Sequence, residues 1–251
     1  MKEHPIIYSP PMIRAILEGR KTQTRRVIKP QPSHSFDHRS DGWECNAPSG
    51  DVCPLCCTGK DGDSFDLEDL SPYGKVGDRL WVRESCAAEA REIDGVDGVC
   101  GVRYIADGQF IQIKESQEAG DRWEAGDRWL DLYWYRAKGM PLGKGRKVPS
   151  IHMPRWASRI LLEITGVRAE RVQEISDEDA LAEGIAKISK DGTTWKYGIP
   201  DRDGYPGEDD SGWLWRDWKA NPKIAFARLW DSIYASRGCG WETNPYVWVI
   251  N

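Results

Sequence analysis

Apolar residues along this chain recur at two different periods, separated by long stretches that follow neither. A short apolar run at residues 6–8 predicts a strand, followed by Pro10 and Pro11, which suit the first turn of a helix. Met12, Ile13, Ile16 and Leu17 then fall at helical spacing, with Gly19 as a stop signal. After a turn at Gly77 and Asp78, residues 79–84 alternate around Leu80, Trp81 and Val82 as a second strand. Residues 102–113 predict a strand pair about a turn at Asp107 and Gly108, residues 130–137 an aromatic strand, and residues 159–167 the clearest strand of all. A short helix is predicted over 175–185. Ser176 is its N-cap, Asp177, Glu178 and Asp179 occupy the first turn, where the dipole favours anions, and Gly184 marks its end. A last helix over 224–232 leads through a Gly turn into a closing strand over 246–250.

The stretches between these elements look like insertions. Residues 31–70 are rich in Ser, Asp, Gly, Pro and Cys and carry no period. Residues 114–147 contain a direct duplication, AGDRW from Ala119 and again from Ala125, too short for a solenoid unit, and then a Gly-rich basic loop over 138–147. Residues 187–221 are again irregular. Several short strands, few helices and three insertions predict an α+β chain: one domain over 1–251, built on a compact β-barrel.

Composition sharpens this picture in three places. The chain has 251 residues, enough to bury a sizeable core, and its 13 Trp against 4 Phe make Trp the main aromatic core filler. One or two of them can instead line a pocket for a flat ring. The net charge of −5 excludes a surface that attracts nucleic acid as a whole. Between residues 12 and 30, however, Arg14, Arg20, Lys21, Arg25, Arg26 and Lys29 face a single anion, Glu18. A basic patch on an acidic protein suits a small anionic or nucleotide ligand better than long duplex DNA.

No apolar run approaches the roughly 20 residues that span a bilayer, and the N-terminal residues lack a signal-peptide core. Seven Cys without an export signal predict a cytoplasmic protein whose thiols are free or bind metal. Cys45, Cys53, Cys56 and Cys57 cluster in the first insertion, and Cys53-Pro-Leu-Cys56 has zinc-knuckle spacing. A structural zinc would order that insertion, with His34 or His38 completing the shell if Cys57 does not. The alternative is reduced thiols in a loop. Cys86, Cys100 and Cys239 are scattered and read as packing residues.

A short helix followed by Gly19-Arg20-Lys21-Thr22-x-Thr24-x-Arg26 resembles the opening of ASCH domains, relatives of the PUA RNA-binding fold. The GDRLWV stretch from Gly77, the SDEDALAEG stretch from Ser176 and the closing aromatic strand are similar to later family elements, in the family's order. The chain also resembles ASCH-like proteins of bacteriophages and prophages. The resemblance implies a PUA-like (ASCH) β-barrel that binds RNA or a modified nucleoside or nucleotide, in the bacterial host cytoplasm if phage-encoded. One branch of that family hydrolyses 4-acetylcytidine with a Lys, a Thr and a Glu, which the motif places at Lys21, Thr24 and Glu183. This chain is far larger than that branch.

The chemistry follows from those residue types. A Thr hydroxyl needs an adjacent base, and a Lys beside Arg20, Arg25 and Arg26 loses its proton more easily if the charges crowd. Thr24 would then be nucleophile or water-orienting group, Lys21 its activator, and Glu183 the acid/base for the departing amine. Arg25 and Arg26, with Arg20 beside them, suit a phosphate or base edge, or else pair with surface carboxylates. His152, Arg155 and Trp156 form a second candidate cluster ahead of Arg159. There Trp156 stacks on a base and Arg155 meets a phosphate, unless Trp156 belongs to the core. His152 as a general base has no visible partner. Two readings result: a nucleic-acid or modified-nucleotide-binding protein first, and an amidohydrolase of acylated cytidine second.

Overall fold

In the computed structural model, residues 1–32, 36–39, 42–45, 70–93, 96–112, 144–207 and 211–251 are described. In chain order the strands and α-helices are β1 (Glu3–Ile7), α1 (Pro10–Leu17), β2 (Thr24–Val27), β3 (Phe36–Arg39), β4 (Gly42–Cys45), β5 (Arg79–Arg83), β6 (Cys86–Ile93), β7 (Val96–Tyr104), β8 (Phe110–Gln112) and β9 (Lys144–Val148). There follow β10 (Leu161–Glu163), β11 (Val167–Arg171), α2 (Asp177–Ala182), β12 (Ala186–Ser189), β13 (Trp195–Gly198), α3 (Pro222–Tyr234) and β14 (Tyr246–Ile250).

The architecture is mixed α+β. The described strands form five separately hydrogen-bonded sheets rather than one closed barrel. At the centre lies β14, whose sequence Tyr-Val-Trp-Val-Ile is apolar on both faces and buried at every position. A strand read this way must be covered on both sides. It pairs antiparallel with β11 on one edge and β2 on the other. A second sheet orders β1, β5 and β10, with β1 parallel to β5 and β10 antiparallel to it. These two sheets and the three α-helices enclose the main core, which includes Ile6, Ile13, Val82, Ile164, Trp230 and Trp248. The sheet β8-β7-β6-β9 carries its own cluster around Cys86, Tyr104, Val148, Met153 and Trp156.

Several differences from the sequence reading have local causes. The strand expected over 159–167 is two strands in two sheets, β10 against β5 and β11 against β14. Between them Thr165 N–H donates to Asn251 O at 2.8 Å and Asn251 N–H to Gly166 O at 2.9 Å, so the chain changes sheet there. Part of the expected basic loop is β9, which pairs with β6. The irregular stretch after residue 187 contains the β12–β13 hairpin. The basic segment after α1 does not stay a loop but enters β2 at Thr24. The turn at Asp107 and Gly108 does join β7 to β8, with Val102 opposite Ile111. The expected strand over 130–137, the AGDRW duplication and most of the Cys-rich stretch lie outside the described residues. Among the described residues, no helix is long and apolar enough to cross a membrane.

Candidate functional site

A helix ends with carbonyls that have no partner within the helix, and those carbonyls carry partial negative charge. At the end of α2 the segment following α1 supplies the partners. Ala182 O accepts from the Thr22 and Gln23 amides at 2.9 and 3.0 Å. Glu183 O accepts from Lys21 Nζ at 3.0 Å, and Gly184 O from the Arg20 guanidinium at 2.7 Å. The approach is close because Gly184 sits at φ 101, where a Cβ would lie 3.1 Å from Ala15 Cβ and 3.3 Å from Lys21 Cβ. The N-terminus of α2 is held by Ser176, whose hydroxyl accepts from Asp179 N–H at 3.0 Å.

This docking buries a set of charges. Lys21 Nζ donates to Glu183 Oε2 at 2.7 Å and to Gln23 O at 2.6 Å. The Arg25 guanidinium, fully enclosed, meets Glu170, then Asp179 Oδ2 at 2.7 Å and Glu183 Oε1 at 3.3 Å. Arg168 joins Glu170 at 3.0 Å and Asp179 at 2.9 Å. Three cations (Lys21, Arg25, Arg168) thus face three carboxylates (Glu170, Asp179, Glu183), and the cluster is neutral. Burial pushes the Lys21 pKa down, opposed by Glu183, and the nearby Arg26 and Arg25 add smaller downward effects. Desolvation, not crowding by cations, is the main cause. Burial works against the Arg25 charge, but Glu183 and Glu170 outweigh it and raise its pKa. Burial likewise works against an ionised Asp179, yet the Arg25 and Arg168 guanidinium groups hold its carboxyl below the usual range.

Side chains alternate along a strand, so Thr24 and Arg26 leave β2 on the face opposite Arg25. In the register Arg25 stands opposite Val249 and Arg26 opposite Trp248, and Trp248 shares a cavity with Arg26. Thr24 shares a hydrogen bond with Tyr8, and burial pushes the Tyr8 phenol up to about 12. The Tyr8 ring lies 5.5 Å from Lys21 Nζ and 5.2 Å from Arg26 Cζ. Arg26 donates to Ile7 O at 2.6 Å and hydrogen-bonds Tyr234, and among the described residues it has no carboxylate partner.

The cavity measures about 810 Å³ and lies among β1, the start of α1, β2 and the end of α3. Tyr8, Tyr73, Tyr234 and Trp248 give it aromatic walls, and Arg26, Lys29 and Arg237 give it three cations. Among the described residues no Asp or Glu lines it. Lys21, Thr24 and Glu183 do not line it either; Tyr8, which does, lies against Lys21 and Thr24.

The sequence-predicted residues therefore divide. Lys21 and Glu183 meet in a nearly closed interior, whereas Thr24, also buried, leaves β2 on the opposite face from Arg25 and meets Tyr8. Of the three arginines, Arg20 is bound to Glu18 at 2.7 Å and to Gly184 O, Arg25 is enclosed in the neutral cluster, and Arg26 alone reaches the cavity. In the second cluster Arg155 forms two hydrogen bonds with Glu3, at 2.7 and 3.2 Å. Trp156 is buried in the smaller core cluster and presents no free stacking face, while His152 is exposed and lines no part of this cavity. Cys45 is described only as backbone in β4, and Cys53, Cys56 and Cys57 lie outside the described residues. Among the described residues no group of three or more His, Cys, Asp or Glu is placed to hold a metal.

Sequence reasoning missed Tyr8, Tyr73, Tyr234 and Trp248 as cavity walls, and Lys29 and Arg237 as cations beside them. Reading Thr24 to Val27 as a strand would have separated Arg25 from Arg26; the other residues converge from distant elements and leave no local signal. No family model matches the chain, and neither the curated proteins nor the solved structures give a match.

Proposed function

We propose that this chain is a PUA-like, ASCH-type protein of phage or prophage origin that binds a nucleotide, modified base or nucleic-acid segment in the cavity beside Arg26. One observation carries the reading: Arg26 is a cation on an aromatic-walled cavity with no carboxylate partner among the described residues, while its neighbour Arg25 meets three. Arg26 is half-buried, and a partly desolvated charge with no counter-ion among the described residues is one that an anionic ligand can match. The volume falls within the range of small-molecule sites, about 300–1,000 Å³. Each base stacked on an aromatic side chain contributes about 1–3 kcal/mol. The order of strand, helix, basic strand, acidic helix and closing strand, with the acidic helix docked on the basic segment, supports the PUA-like assignment. Titrating the protein with nucleosides, nucleotides and short oligonucleotides, followed by Trp fluorescence and calorimetry, tests the proposal. Saturable binding to at least one is expected; silence from all three classes defeats it.

A second reading, removal of an acyl group from acylated cytidine, is favoured by the 2.7 Å contact of Lys21 with Glu183 and the downward pull of burial on the Lys21 pKa. In that reaction the Lys21 amine takes the Thr24 proton. Thr24 Oγ1 attacks the acyl carbon, and Glu183 relays that proton from Lys21 to the departing amine; water then cleaves the Thr24 ester, releasing the acid and restoring the hydroxyl. It ranks second because Lys21 donates to three acceptors (Gln23 O, Glu183 O and Glu183 Oε2) and the three residues are closed off from the cavity. Incubation with 4-acetylcytidine, with Lys21→Met as control, decides it: activity requires cytidine release by the parent and none by the variant. For the Cys-rich stretch the proposal remains a structural zinc on Cys45, Cys53, Cys56 and Cys57, supported by the CxxC spacing.

A further inference from the structure

Arg25 and Arg26 are adjacent and chemically identical, yet their surroundings differ in kind. Around Arg25 stand carboxylates. Around Arg26 stand a backbone carbonyl and phenols: Ile7 O, Tyr234, Tyr8 and Tyr73. Phenols offer dipoles but no charge, and burial raises the pKa of both Tyr8 and Tyr73, which keeps them neutral at ordinary pH. Among the described residues, the positive charge of Arg26 therefore meets no carboxylate. Lys29 and Arg237, both exposed, line the same cavity, and neither is in an ion pair with another described residue. Three uncompensated cations around one cavity, on a chain of net charge −5, describe a receptor for an anion.

A guanidinium carries five N–H donors in a planar fork, and Arg26 is accounted for by Ile7 O and Tyr234. Donors remain for two oxygens of one oxyanion. Of the aromatic residues in the wall, Trp248, Tyr8 and Tyr234 are packed into the core, and half-buried Tyr73 offers the face against which a planar ring can lie.

Resting on the binding reading above, we infer that the ligand is a planar ring bearing a phosphomonoester, of the nucleoside 5′-monophosphate class, and that Arg26 receives the phosphate. A dianionic phosphomonoester matches a site of three cations better than a neutral nucleoside or the single charge of a phosphodiester.

Four probes test this by calorimetry on the full chain: cytidine, cytidine 5′-monophosphate, the phosphodiester dinucleotide CpC, and phenyl phosphate. The monophosphate binds at least ten-fold more tightly than cytidine, and the gap shrinks as salt rises from about 50 to 300 mM. Arg26→Gln removes the gap between cytidine 5′-monophosphate and cytidine, and Arg26→Lys restores part of it. Arg26→Gln without ligand also melts at or above the parent temperature, which a structural arginine would not allow. Equal affinities for cytidine and its monophosphate, a gap that survives Arg26→Gln, or CpC binding more tightly than the monophosphate would overturn the inference. If cytidine binds and the phosphate adds nothing, the binding reading stands without it. If phenyl phosphate binds in an Arg26-dependent way while all three cytosine probes fail, the anion receptor stands and the nucleotide reading falls.

Discussion

Replacing Arg25 by Met leaves Lys21 and Arg168 to face Glu170, Asp179 and Glu183: two cations against three carboxylates, with one negative charge unmatched in the interior. Glu183 and Glu170 are well buried at 6% and 14% side-chain exposure, whereas Asp179 at 27% keeps some access to water. Removing one member of a buried ion pair costs about 3–5 kcal/mol, and the partial exposure of Asp179 places this case near the lower end, about 3 kcal/mol. For a chain of this length that lowers the melting temperature by about 6–12 °C.

Arg26→Met makes the contrast. It removes a partly desolvated cation with no carboxylate partner among the described residues and forfeits hydrogen bonds to Ile7 O and Tyr234 worth about 1 kcal/mol each; the two effects offset, so its net effect is close to zero. The assay is urea unfolding followed by Trp fluorescence at pH 7 and pH 4.5. In the parent, Asp179 has a folded pKa below its unfolded value. Its contribution is therefore present above about pH 4 and lost as pH falls through the folded value. Without Arg25 that depression weakens and the surplus negative charge favours proton uptake, so the deficit of the variant narrows on acidification. The reasoning is refuted if Arg25→Met lies within 1 kcal/mol of the parent, if the deficit is as wide at pH 4.5 as at pH 7, or if Arg26→Met costs as much.

Other outcomes follow from the same geometry. Gly184→Ala destabilises by about 2 kcal/mol, because a side chain at φ 101 is strained and its Cβ meets Ala15 and Lys21; a urea midpoint equal to the parent's would show that α2 is not held against α1 as described. Lys21 has a folded pKa below its unfolded one, so the unfolded chain holds that proton more tightly and stability gains as pH climbs toward the unfolded value of about 10.4. Lys21→Met flattens that rise on the alkaline approach to the unfolded value, and identical slopes for parent and variant would remove the case for a desolvated lysine. Elemental analysis of the purified protein finds one zinc per chain, lost on Cys53→Ser with Cys56→Ser; metal-free protein with unchanged melting would reduce the Cys-rich stretch to free thiols.

Much of the fold was legible because its signals are local. Ser176 and Gly184 bracket α2 through a hydroxyl cap and a left-handed residue. Asp107 and Gly108 make their turn within a few residues. The all-apolar run of β14 announces burial on both faces. The single strand expected over 159–167 failed for the opposite reason: apolar residues continue through Thr165 and Gly166 while the hydrogen-bond partner changes from one sheet to another. Partner choice leaves no mark on periodicity.

The candidate residues show the same division more sharply. Residue type and motif order alone singled out Lys21, Thr24 and Glu183, and marked the stretch from Arg20 to Arg26 as the basic part of an acidic chain. What each cation does there was decided by residues far off in sequence. Glu170 lies 145 positions from Arg25 and Glu183 lies 158, and the fold brings both to one face of β2. On the other face Arg26 meets phenols and open space. A charge is matched or left unmatched only by what stands within a few ångströms of it, and a linear sequence carries no measure of that distance.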